Sequence, residues 1–121
     1  EALRSHYYNG PRPGWERNFI TAYASSHPAE DWAETFAHWL HIRSALETAD
    51  ANGLTGASDI DDWQSAFIDL AVRLNDVMRS LGLGDAYPFV ITAAIGEKID
   101  FVRRTIERFT DRLNAPSSAA N

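Results

Sequence analysis

Two carboxylates and two imidazoles share one side of a single stretch of this chain. From Tyr23 to His41 the sequence reads YASSHPAEDWAETFAHWLH. Read as a helix entered at Pro28, it sets Glu30, Glu34, His38 and His41 at i, i+4, i+8 and i+11, on one face. Groups of these types ligate divalent metals or pass protons. The same spacing also describes a wet helix surface. In that reading Glu30 complements the helix dipole or closes a capping box, and Glu34 with His38 is an ordinary exposed pair. Glu34, His38 and His41 form a local alternative metal set on that face, with no fourth ligand in view.

The helix that must position these groups starts well. Proline suits the first turn, where its missing N–H has no partner to lose, and His27 falls in the N-cap region. Trp32, Phe36, Trp39 and Leu40, with Ala33 at their edge, recur at helical spacing on the side away from Glu30, which predicts that they face the core. His38 and His41 are then expected on a groove wall or in solvent. The helix should fade near Asp50, and Gly53 ends it within a loop over 52–58.

Upstream, residues 1–8 read as the end of a helix, 9–14 as a Gly/Pro turn, and Trp15 to Ala24 as a short helix. Downstream, Ser58 or Asp59 caps a helix carrying Ile60, Trp63, Phe67, Leu70, Leu74, Val77, Met78 and Leu81, which Gly82 ends. Asn75 and Asp76 lie inside it without an evident role. Residues 82–88 connect to a last helix, capped by Thr92, with Ile95, Ile99, Val102, Ile106, Phe109 and Leu113 inward. The expected fold class is all-α: an irregular antiparallel bundle of three main helices plus one or two short N-terminal helices. Residues 1–113 are expected to form one domain and 114–121 a flexible tail. Trp15, Phe19, Trp32, Phe36, Trp39, Trp63 and Phe67 are the expected aromatic core.

Composition narrows the chemistry. The chain has 121 residues, enough for one packed core, and 45% of them are hydrophobic. A net charge of −6 disfavours nucleic acid, which needs a basic surface. Without cysteine there is no disulfide framework, so any metal must use His and carboxylates. No apolar run reaches the roughly 20 residues of a membrane span, and a cytoplasmic location is expected.

The run His27-Pro28-x-Glu30-Asp31-Trp32-Ala33-Glu34-Thr35-Phe36-Ala37-His38-Trp39-Leu40-His41 resembles a segment of a bacterial family of putative zinc-binding metallopeptidases. Tyr7-Tyr8-Asn9-Gly10-Pro11 and Tyr87-Pro88-Phe89-Val90-Ile91 extend the resemblance. More loosely, Glu30-x-x-x-Glu34 resembles the second zinc helix of gluzincin peptidases. There an earlier helix bearing His-Glu-x-x-His gives two zinc ligands and the catalytic base, and a later helix gives a Glu ligand. The resemblance implies Glu30 as the third zinc ligand, Glu34 as the outer carboxylate that orients a ligating histidine, and Tyr23 as an oxyanion donor. The alternative register makes Glu34 the ligand and Glu30 a cap.

None of His6, His27, His38 and His41 lies in a His-Glu-x-x-His. The resemblance therefore implies the C-terminal part of a hydrolase whose catalytic helix lay before Glu1. That missing N-terminal part is then a partner, together with a peptide or protein substrate. Zinc is expected in the complete protein. The chain alone is expected to be inactive and to hold no zinc tightly. A non-catalytic helical protein-interaction or scaffold domain is the competing expectation.

Overall fold

A computed structural model describes residues 1–54 and 62–116. The helix over Ala2–Asn9 is α1, followed by single 3-10 turns at Trp15–Arg17 and Ala24–Ser26. Three long helices come next: α2 over Pro28–Ala51, α3 over Trp63–Ser80 and α4 over Ala93–Asn114. The fold is all-α, with α2 against α3, α4 and the Ala24–Ser26 turn. No helix among the described residues is long and apolar enough to cross a membrane. The short helix expected over Trp15 to Ala24 is instead two isolated turns. Ser25 and Ser26 help to close the second by donating to the carbonyls of Ala22 and Tyr23 at 2.6 Å, an alternative to continued helix.

The helix ends follow local chemistry. Pro28 is the first residue of α2, and His27 Nδ1 accepts the Ala29 N–H at 3.1 Å. Thr92 caps α4 by accepting the Ile95 N–H at 3.3 Å. Helices α2 and α3 end alike. Gly53 and Gly82 take left-handed φ of 68° and 74°, and the N–H groups of Leu54 and Leu83 reach back to the carbonyls of Ala49 and Met78 at 2.8 and 3.0 Å. Both are Schellman closures, which a side chain bearing Cβ would strain. The expected caps Ser58 and Asp59, the expected core residue Ile60 and the end of the tail lie outside the described residues.

The core joins Trp39 and Ile42 of α2, Trp63 and Phe67 of α3, and Ile95, Ile99 and Val102 of α4, with Ile20 and Ala24 from the N-terminal segment. Trp39 meets Trp63 edge to face at 5.6 Å. Gly96 lets α4 pass close to α3: a Cβ there would stand 2.6 Å from the Gln64 side-chain oxygen. The expected core needs correction on α2. Trp32 is 45% exposed, Phe36 36% and Leu40 45%, while Thr35, His38, Trp39 and Ile42 are buried. The helix offers apolar residues on more than one side over its first turns, so its inward face is chosen by its neighbours. Trp15 and Phe19 are only partly buried. Val77, Leu81, Phe109 and Leu113 extend the repeats of α3 and α4 but are all more than half exposed.

The segment between α3 and α4 is pinned from within α3. Asn75 Nδ2 donates to the Tyr87 carbonyl at 2.9 Å, and its Oδ1 accepts the Tyr87 N–H at 3.0 Å. One amide thus satisfies both backbone groups of a residue outside regular structure. Asn75→Ala leaves both groups short of a partner. A loss of about 1–3 kcal/mol is expected, read as a lower urea midpoint with an unchanged m-value.

The N-terminal segment is tied to α4. Thr92 Oγ1 donates to the Arg17 carbonyl at 2.9 Å. Lys98 Nζ donates to the Asn18 carbonyl at 2.6 Å and pairs with Asp31 of α2 at 2.7 Å. Its ammonium also lies over the Phe19 ring, 4.2 Å from the centroid.

The candidate site on the flank of α2

Glu30 and Glu34 lie on the flank of α2 that meets the N-terminal segment, and both are partly buried. Glu34 has a hydrogen-bond partner there, and Glu30 has a phenol beside it. Thr21 Oγ1 donates to Glu34 Oε2 at 3.2 Å and accepts the Ala24 N–H at 3.0 Å, so one hydroxyl fixes both the turn and the carboxylate. The Tyr23 hydroxyl stands beside the Glu30 carboxylate and Tyr7 of α1, close enough for both to act on its proton. The His6 ring also meets Tyr23 edge to face at 6.4 Å. Partial burial, then the Glu30 charge, raise the Tyr23 pKa. Tyr23 therefore keeps its proton at neutral pH and acts as a donor beside a carboxylate.

The structure thus brings Tyr23 to Glu30 and gives Glu34 a separate partner. It separates the two histidines. His41 is exposed, whereas His38 is only 8% exposed, which corrects its expected place on a groove wall or in solvent. His38 Nδ1 lies 3.0 Å from the Tyr87 hydroxyl. Its ring stands edge to face with Phe89 at 4.8 Å and with Tyr87 at 5.8 Å. Burial pushes the Tyr87 hydroxyl pKa up to about 12, so the tyrosine is the donor and His38 Nδ1 the acceptor. The local set of Glu34, His38 and His41 is not gathered. Among the described residues no three His, Asp or Glu side chains are placed to hold a metal ion.

Nothing in the sequence paired two of the partners at this site with the residues they hold. Thr21 is remote in sequence from Glu34, and Tyr87 is 49 residues from His38. The one available cue was Asn75, a polar residue in an otherwise apolar helical repeat.

His38 also sets a pH dependence. Burial lowers its pKa below the ordinary 6.5 and outweighs the nearby Glu34 carboxylate, which raises it, while His41 lowers it further. The folded state therefore favours neutral His38. Its contribution to stability is complete above the unfolded value near 6.5, and it is lost as pH falls through that value towards the lower folded one. The urea midpoint is expected to drop from pH 7.5 to pH 5. The drop should be smaller in His38→Phe, measured in the same buffers.

The sequence profile of a family described as "putative zinc-binding metallo-peptidase" matches residues 1–105. Proteins of Mycobacterium tuberculosis and Mycobacterium bovis, both described as uncharacterized, are each 46% identical over 118 residues, covering 88% of this chain and 35% of their own length. The chain thus spans about a third of these curated relatives. No solved structure matches it.

Proposed function

The chain belongs to the family of putative zinc-binding metallo-peptidases, and from that premise we propose that it is the C-terminal helical part of a zinc-dependent peptidase. Glu30 is the third metal ligand, and α2 forms one wall of a cleft for a peptide or protein substrate. The arrangement is gluzincin-like, with Glu34 one helical turn on as the carboxylate that orients a ligating imidazole. The observation that supports this reading is the convergence of Tyr23 on Glu30. A half-buried carboxylate and a protonated phenol meet on one flank of one helix. Such a pair suits a ligand beside a donor to a developing oxyanion.

The described residues do not by themselves fit a resident zinc, since no three candidate ligands gather. The reading therefore assigns to this chain one ligand and its supports. The other ligands and the general base come from polypeptide beyond these residues. Zinc content of the full-length mycobacterial relative, altered separately at the positions matching Glu30 and Glu34, tests the assignment.

A further inference from the structure

The first turns of α2 depart from the usual pattern of a surface helix. A helix on the surface of a bundle turns polar residues to solvent. Here the outward side from Ala29 to Leu40 carries Ala29, Ala33, Phe36, Ala37 and Leu40, all exposed. Exposed Trp32 borders them and meets Phe101 of α4 edge to face at 6.2 Å. Beside these two rings a cavity of about 460 Å³ opens between α2 and α4. The outward side then changes character. Arg43, Ser44, Glu47 and Thr48 are exposed, and Arg43 pairs with Glu47 at 2.9 Å. The apolar patch, from Ala29 to Leu40, therefore spans the turns that carry Glu30 and Glu34.

A contiguous apolar face of this kind marks a contact surface. Three alanines at i, i+4 and i+8 let a second backbone approach closely, while Phe36 and Leu40 beside them supply the knobs. A second copy of this chain suits the face poorly. Two copies laid antiparallel about the middle of the patch would set Glu34 against Glu34, like charge against like, in chains of net charge −6. The relatives supply another occupant, because this chain spans only 35% of their length.

We propose that this face of α2 is the seat of the remaining polypeptide of the longer family members, which lays an apolar helix across Ala33 and Ala37 and fills the cavity beside Trp32 with a side chain. The proposal rests on the reading of Glu30 as a ligand, because that helix arrives next to the one carboxylate this chain offers.

Paired serine substitutions test it, Phe36→Ser with Leu40→Ser in this chain and at the matching positions of the full-length mycobacterial relative. In the chain alone both side chains already face water, and the melting temperature should move by no more than about 2 °C. In the relative the pair should raise the rate of limited trypsin cleavage about 10-fold or more. Ala33→Trp, bulky but outward in the chain alone, is the second variant should the serine pair fail to fold in the relative; it should open the relative by a similar factor. Unchanged cleavage in both variants of the relative overturns the proposal. So does a dimer of the chain alone that persists near 1 µM in sedimentation velocity and is dissolved by the serine pair, since the occupant is then a second copy. Zinc content keeps the underlying reading separate. Retention of zinc after Gln replaces the residue matching Glu30, with faster cleavage of the serine pair, removes the ligand assignment and leaves the docking face.

Discussion

Alanine at the position matching Glu30 in the full-length mycobacterial relative is expected to empty its metal site. A catalytic zinc has three protein ligands, and on the proposed assignment the substitution removes one of them outright. On the same assignment, alanine at the position matching Glu34 leaves the ligands in place and loses only their orientation. Losses of that kind run about 10–100-fold in affinity or activity. The expected result is an ordering, with the first variant far poorer in zinc than the second. Both should stay folded, because the two carboxylates lie on a partly exposed flank and their removal opens no core cavity. Metal analysis of the purified proteins, with circular dichroism as the folding control, reads the outcome. Zinc kept by the first variant and lost by the second places the ligand one turn later. Zinc kept by both leaves α2 a structural helix only.

The largest effect on the chain itself is expected from Trp39→Ala. Trp39 is 2% exposed and stands between α2 and the Trp63 ring of α3. Truncation removes that edge-to-face contact and leaves a cavity among Ile42, Ile95 and Ile99, which are themselves fully buried. Such replacements cost about 3–5 kcal/mol, against a total of roughly 5–15 kcal/mol for a domain. Urea unfolding followed by far-ultraviolet circular dichroism should show a midpoint shifted far down or a chain unfolded without denaturant. Trp32→Ala is the contrasting control. Its side chain is 45% exposed, and its loss should cost much less. Equal losses for the two tryptophans would show that the inward face of α2 is not the one described.

That contrast also marks how far the sequence could be read. Both ends of α2, the end of α3 and the start of α4 were legible because their causes are local: a proline in a first turn, a threonine at a cap, a glycine free to take positive φ. The all-α architecture followed from repeats that α3 and α4 carry plainly in Trp63, Phe67 and Leu70, and in Ile95, Ile99 and Val102. The orientation of α2 was not legible. Trp32, Phe36 and Leu40 form as good an apolar stripe as Trp39 with Ile42, and periodicity cannot rank two apolar faces of one helix. The choice came from partners distant in the chain, above all Tyr87, which gives the His38 ring a hydroxyl and lets an imidazole enter the core. Of the candidate site, the spacing of Glu30 and Glu34 was visible in the sequence. The approach of Tyr23 to Glu30 and of Thr21 to Glu34 depends on how the preceding turn folds back, which no repeat encodes.

The grip of α4 on the N-terminal segment bears on how the molecule breathes. Thr92 and Lys98 hold the carbonyls of Arg17 and Asn18, and Lys98 also reaches Asp31. The segment that leads into Thr21 and Tyr23 is therefore held to the first turns of α4 as well as to α2. Native-state opening proceeds in contiguous cooperative units, and these contacts make the two pieces one such unit although they are some 75 residues apart in sequence. Fraying at the start of α4 is thereby expected to loosen the segment that sets Tyr23 and Thr21 beside the carboxylates of α2.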